Sequence, residues 1–203
     1  MSAFAPAPEG RCAFALLAAG EGARFGPGKL HADLDGRPLW RWAIESGVEA
    51  GFAALHVVTN DARIAAESAA AGWIVHASPD ALRGIAASIR IAAHATRDAE
   101  RTILALADMP FVEPGHFRRL AAHPGVVFTR QADGRPGVPA GFPAAARERL
   151  MGIEGDRGAA SLDWPGAEAI DPPTAESLFD VDTPVRLQRA RAIALRRRRE
   201  ACR

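Results

Sequence analysis

The chain has 203 residues, 48% of them hydrophobic, a size and composition that suit one α/β domain with an ordinary core better than two domains. A formal net charge of +1 gives no global pull toward nucleic acid or a membrane surface, and no apolar run is long enough to span a bilayer. Two cysteines, Cys12 and Cys202, form neither a disulfide framework nor a metal-ligand spacing and suit a reducing cytoplasm. Residues 1–11 read as a loose leader rather than a signal peptide, which leaves a single domain over 12–197 and a basic tail at 198–203.

Residues 12–19 are apolar without alternation, as a parallel strand covered on both faces requires, and they read as the central strand. The strand runs into a loop in which Gly20, Gly22, Gly26 and Gly28 let the backbone turn tightly and bring N–H groups toward an anion. Arg24 and Lys29 add positive charge, so the loop is suited to phosphates. It is not a P-loop, which needs a glycine at 23 and a hydroxyl after the lysine where the chain has Ala23 and Leu30. Nor is it a dinucleotide fingerprint from Gly20, because Phe25 stands where the third glycine belongs. The remaining pattern is L-x-A-G-x-G-x-R-x-G-x-x-K.

Pro38 opens a helix through about Ala50, with Leu39, Trp42, Ala43 and Ser46 or Gly47 on one face and Gly51 ending it; Trp40 and Trp42 read as core or half-core. Residues 54–59 form a second strand with His56 as a core histidine, and Asn60 and Asp61 cap a helix over about 62–71. A third strand follows at 72–76 and a loop at 78–80. Strand and helix alternating at this spacing imply a right-handed, doubly wound, mostly parallel sheet with helices on both faces. The loop 83–89, leading into a helix of about 86–97, lies at the carboxyl end of the third strand. There Gly84 and Ser88 can meet a nucleobase, although the same two residues are also ordinary capping chemistry.

Residues 102–107 make another apolar strand, which ends at Asp108 because Pro110 stops the ladder. A carboxylate at that edge needs a partner or a cation, and Mg²⁺ fits; the alternative is a helix cap or a loop salt bridge. A helix over 113–122, a strand at 126–130, a turn at 134–137 and a helix over 143–151 follow. The glycine-bracketed loop 155–160 suits either an acceptor molecule or a solvated connection. Residues 177–182 read as a strand that projects Asp180 and Asp182 from one face, a candidate second half of a metal site. Thr183 and Pro184 then start a helix to about 197, whose arginines at 196–199 form a solvated end.

Six stretches in order resemble the signature of the MobA-like nucleotidyltransferases over roughly residues 12–187. They are L-A-A-G-E-G-A-R-F-G-P-G-K at 17–29, G-R-P-L at 36–39, G-I-A-A-S at 84–88, L-A-D-M-P at 106–110, G-D-R-G-A at 155–159 and D-V-D-T-P at 180–184. The set is most similar to the molybdenum cofactor cytidylyltransferase branch, since guanylyl-transferring relatives usually show L-A-G-G at 17–20. The resemblance implies a Rossmann-like nucleotidyltransferase that moves CMP from CTP to the terminal phosphate of molybdopterin and releases pyrophosphate. Mg²⁺ would be the cofactor and a molybdenum hydroxylase the recipient of the product; neither nucleic acid nor membrane is implied.

Carried onto this chain, the resemblance implies catalytic roles for Arg24, Lys29 and Asp108, and metal ligation by Asp108, Asp180 and Asp182. Nucleotide binding falls to Ala18, Ala19, Gly20, Glu21, Gly22, Arg24, Lys29, Gly84 and Ser88, and acceptor binding to Gly137, Pro139 and Asp156. The chain departs from the family pattern in three places. Glu21 and Gly22 replace a serine, Leu30 and His31 a pair of leucines, and Val138 a histidine or asparagine on the acceptor side. The same scaffold also serves guanylyl transfer to molybdopterin, transfer to a sugar or polyol phosphate, or a noncatalytic nucleotide or pterin carrier. A nicotinamide-dependent oxidoreductase is disfavoured by the missing third glycine.

Overall fold

The computed structural model describes residues 12–20, 24–81 and 84–201. In chain order the strands are β1 Cys12–Leu17, β2 Asp33–Leu34, β3 Arg37–Pro38, β4 Ala54–Val58, β5 Ile74–His76, β6 Arg101–Leu106, β7 Val127–Arg130, β8 Pro136–Pro143 and β9 Glu168–Ile170. The helices are α1 Leu39–Ala50, α2 Ala62–Ala70, α3 Ile85–Ala95, α4 Pro114–Ala122, α5 Arg147–Met151 and α6 Pro184–Ala201. Seven strands make one sheet in the order β5-β4-β1-β6-β8-β7-β9, while β2 and β3 form a separate hairpin. Strands β5, β4, β1 and β6 are parallel, and only β8 runs against its neighbours β6 and β7. This is the doubly wound, mostly parallel sheet that the sequence implies.

Because successive side chains of a strand point to opposite faces, β1 supplies both halves of the core. Phe14 and Leu16 join Trp40, Phe52, Trp73 and Phe117 on the face covered by α1 and α4. Ala15 and Leu17 join Ile89, Phe142 and Leu150 under α3 and α5. Every residue of β1 is buried, which is why its sequence shows no alternation. Gly47 permits the close approach of α1, since a Cβ there would stand 2.8 Å from the Phe14 ring. A third apolar cluster seats α6, through Leu187 and Ile193, on Leu34, Leu39, Phe111 and Val181.

Several local expectations are corrected by packing. In α1 the residue fully inside the core is Trp40, whereas Trp42 is half-buried, donates its Nε1–H to the Leu34 carbonyl at 3.1 Å and lies under the Arg37 guanidinium. Pro143 ends β8 rather than opening a helix; a single 3₁₀ turn intervenes and α5 begins only at Arg147. The segment 177–182 is not a strand. Ser177 and Phe179 donate back to the Thr174 and Glu176 carbonyls at 3.2 and 3.0 Å, and these turns bend the chain away from a ladder. Helix α6 continues to Ala201, so the arginines from 198 on belong to it in part rather than to a tail; Arg198 pairs with Asp35. Among the described residues no helix is long and apolar enough to cross a membrane.

Two buried histidines behave as core residues. His56 shares a hydrogen bond of 3.0 Å with His76, and burial, helped by that neighbour, pushes its imidazole down to about 4. His116 donates Nε2–H to the Thr129 hydroxyl at 2.8 Å, that hydroxyl being committed to the Pro139 carbonyl, and burial pushes it down to about 4 as well. Below an ordinary histidine pKa of about 6.5 the unfolded chain therefore takes protons that the folded chain refuses. Stability should be flat above neutral pH and fall steadily as pH drops from about 6.5 toward 4. Urea denaturation midpoints measured across that window check this, and replacing both residues by glutamine should flatten the slope.

Candidate active site

The carboxyl ends of β1 and β6 lie side by side, so the residues that follow each strand share one edge of the sheet. After β1 the chain passes through Ala18, Ala19 and Gly20 and returns through Gly28, whose left-handed φ of 79° starts a one-turn 3₁₀ helix at Lys29. That turn buries Lys29 to 8% exposure and aims its ammonium at Asp108, with Nζ 2.5 Å from Oδ2. The same ammonium lies 3.6 Å from Asp182, and Arg24 reaches Asp182 at 2.9 Å from the exposed side. The backbone fixes this meeting, because the Val181 N–H donates to the Asp108 carbonyl at 2.9 Å. The glycine-rich loop, the β6 terminus and the C-terminal acidic segment thus converge.

Asp180 faces its own cation. Arg186 donates to the Asp180 carboxylate, and its Nε–H to the Asp180 carbonyl at 2.6 Å. Burial pushes the Asp180 carboxyl up and Arg186 pulls it down, while Asp182 and Asp108 push it up again, so the three carboxylates repel one another. Asp108 Oδ1 is buried with no hydrogen-bond partner. An acceptor-only oxygen left bare in this way is costly unless a cation or a donor arrives. Among the described residues no group of three or more His, Cys, Asp or Glu side chains is arranged to hold a metal by itself. The donor set therefore fits a hard divalent cation that takes its remaining oxygens from phosphate and water rather than from a protein cage.

A cavity of about 380 Å³ opens from Lys29 and Asp108. Ala18, Ala19 and Gly20 line one end and Gly84, Ser88 and Asp156 the other, so the two glycine loops assigned to different substrates meet in one place. Asp156, expected beside an acceptor, stands next to Gly84. Ser88 shares a hydrogen bond of 3.2 Å with Ser78. Gly137 and Pro139 lie in β8 and neither lines this cavity; Val138 between them packs against the core. Glu21 and Gly22 lie outside the described residues.

A second cavity of about 560 Å³ on the other flank of the loop shares Ala18, Ala19, Gly20 and Lys29 and adds His31, Asn60 and Asp61. Sequence reasoning treated Asn60 and Asp61 as a helix cap, which Asp61 is, accepting from Arg63 N and Ile64 N. Their position directly after β4 was the overlooked signal, since it obeys the same sheet-edge rule as Asp108. Asn60 bonds the Ser78 backbone twice, at 2.7 and 2.8 Å, and Asp61 accepts from His31 at 2.6 Å.

The model of the MobA-like NTP transferase domain matches residues 14–165. The chain belongs to that family, and its class of chemistry is nucleotidyl transfer. Among solved structures it is similar to a nucleotidyl transferase from Methanothermobacter thermautotroptrophicus, with 20% identity, 92% of this chain and 98% of that chain covered, and a TM-score of 0.77. It is also similar to Rv0371c from Mycobacterium tuberculosis H37Rv in complex with manganese, with 26% identity, 90% and 98% covered, and a TM-score of 0.71. A third is molybdopterin-guanine dinucleotide biosynthesis protein A from Archaeoglobus fulgidus, with 22% identity, 91% and 99% covered, and a TM-score of 0.69. No curated relative matches the chain in sequence.

Gly84 holds the far wall together. Its φ is +109°, and a Cβ there would stand 2.2 Å from Asp156 Oδ1 and 2.5 Å from the Gly155 carbonyl. Backbone strain of this kind costs on the order of 1–3 kcal/mol, and the clash adds to it. Gly84→Ala should therefore lower the thermal midpoint and expose the 152–160 connection to limited proteolysis, whereas Gly158→Ala, which meets nothing within 4 Å, should leave both readings near wild type.

Proposed function

We propose that the protein is a divalent-cation-dependent cytidylyltransferase that transfers CMP from CTP to the terminal phosphate of a molybdopterin-type acceptor. The observation that carries this reading is the buried Lys29 ammonium held between Asp108 and Asp182, which joins a phosphate-binding loop to two acidic segments at one cavity. A phosphate oxygen of the acceptor forms a bond to the α-phosphorus of CTP, the bond to the bridging oxygen toward the β-phosphorus breaks, and pyrophosphate leaves. The acceptor phosphate is already an anion near neutral pH, so no general base is needed.

Such transfers rest on positioning and on neutralising charge that spreads over phosphate oxygens. In this reading Lys29 bridges the attacking and α-phosphates, while Arg24 and the backbone amides of the loop hold the β- and γ-phosphates. Asp108, Asp180 and Asp182 hold the cation, Mg²⁺ or Mn²⁺, which supplies charge neutralisation at the α-phosphate. The manganese bound to the Mycobacterium tuberculosis relative supports the choice of a divalent ion. Gly84 and Ser88 line the same cavity as Lys29 and Asp108 and receive the base, and the L-A-A-G sequence at 17–20 favours cytosine over guanine. The protein works in the cytoplasm, and its product passes to a molybdenum hydroxylase.

The test is to incubate the protein with Mg²⁺, purified molybdenum cofactor and each NTP in turn, and to follow pyrophosphate release. CTP should be the preferred donor; preference for GTP overturns the cytidylyl reading, and no release with any NTP overturns the transferase reading of this acceptor. Asp108→Asn should lower turnover by about 10²–10³-fold, by analogy with loss of one charge-stabilising contact. Its circular dichroism and thermal midpoint should stay near wild type. A folded Asp108→Asn protein with undiminished turnover removes Asp108 from the metal site.

A further inference from the structure

The three carboxylates proposed to hold the cation are each occupied by a side-chain cation in this structure: Asp108 by Lys29, Asp182 by Lys29 and Arg24, and Asp180 by Arg186. Lys29 opens onto the nucleotide cavity, but Arg186 does not. With Asp180 it lines a separate cleft of about 770 Å³ between the β7–β8 hairpin and the segment that follows β9. That cleft shares no lining residue with the 380 Å³ cavity; Asp180 lines the one and Asp108 the other. Arg135 from the hairpin offers hydrogen-bond donors, and Phe179 offers a flat apolar face.

We propose that Arg186 is the receptor for the acceptor's phosphate: the second cleft takes a phosphomonoester on a bulky polar body, and Arg186 leaves the Asp180 carboxylate to bind its phosphate. This rests on the transferase reading above. In-line displacement places the attacking oxygen opposite the leaving pyrophosphate, so acceptor and nucleotide need separate places, and a cation-bearing cavity at Asp108 and another at Asp180 supply them. The exchange is easy because the Arg186–Asp180 pair is more than one-third exposed on both partners, and a pair so open to water contributes little. A divalent ion on the Asp180 carboxylate would replace the charge that Arg186 provides there and free the Nη edge of the guanidinium fork for two phosphate oxygens, while Nε–H keeps the Asp180 carbonyl at 2.6 Å. The Phe179 ring, 4.4 Å from the guanidinium carbon, keeps that fork against one wall of the cleft.

The experiment titrates inorganic phosphate, by calorimetry, into protein saturated with Mg²⁺ and the α,β-methylene analogue of CTP, which fills the nucleotide cavity and cannot release pyrophosphate. Wild type should bind one phosphate, Arg186→Ala at least tenfold more weakly and Arg186→Lys in between, with affinity for the analogue within twofold in all three. In parallel, the Nε–H resonance of Arg186 in the wild-type protein should shift as phosphate is added, a reading that does not depend on a variant folding. No phosphate bound by wild type, equal phosphate affinity in Arg186→Ala, an unmoved resonance, or a parallel loss of analogue affinity overturns the proposal; the last outcome makes Arg186 only a holder of Asp180. Wild-type protein that fails to bind the analogue overturns the nucleotide reading instead. The same titration without the analogue then judges Arg186 by the same criteria.

Discussion

A lysine ammonium that is more than nine-tenths buried is tolerated only where carboxylates surround it, and Lys29 has two of them. Those carboxylates come from positions 108 and 182, so one desolvated charge ties the first loop of the domain to its middle and to the start of its last helix. The tie is reinforced where the chain does not depend on charge. Val181 is completely buried beneath α6, and its N–H reaches the Asp108 carbonyl. Apolar packing therefore delivers Asp182 to the lysine, and the lysine in turn keeps two like charges close together. Three acidic side chains clustered without such cations would repel one another.

The parts of this arrangement that the sequence reveals are those governed by local rules. Continuous apolar runs mark β1 and β6 because both faces of those strands are covered, and Pro110 marks the strand end that carries Asp108. Parts decided by distant contacts were not legible. Whether Trp40 or Trp42 enters the core depends on the rotation of α1 about its axis, and that rotation is set by the contact of Gly47 with Phe14 rather than by the helix itself. The run 177–182 has the period of a strand, but Ser177 and Phe179 spend their N–H groups on the Thr174 and Glu176 carbonyls, turns that no two-residue periodicity reveals. Nothing local signals that Gly155 and Gly84 touch across 71 residues, so the cavity wall that brings Asp156 beside Gly84 was not legible either. Arg186 lies two residues past the last recognisable motif, and its partner Asp180 was read only as a metal ligand.

Buried charge by itself does not mark function, as Arg101 shows. Burial pushes its guanidinium down to about 10, yet it donates to the Leu120 and Gly125 carbonyls at 2.9 Å each, and Gly141 leaves room for it to do so. It is a satisfied structural arginine, with its bonds spent on holding the end of α4 to the sheet. Asp108 differs in having one oxygen bound to Lys29 and the other bound to nothing. A bare acceptor oxygen of that kind calls for a partner from outside the chain.

Lack of a partner is not sufficient either. Among the described residues, seven buried side-chain atoms have none, and Trp40, Ser68, Trp73, Glu113 and His116 contribute five of them away from both cavities at the loop. The remaining two are Asp108 Oδ1 and His31 Nδ1, and their residues line the cavities on the two flanks of the glycine loop. One is an acceptor that suits a cation. The other is an imidazole nitrogen whose companion Nε2 is already bonded to Asp61, which leaves Nδ1 to accept or to donate according to its proton. The same loop backbone thus separates two flanks, one at Asp108 and one at His31, each carrying a buried polar atom that the protein itself leaves unpartnered.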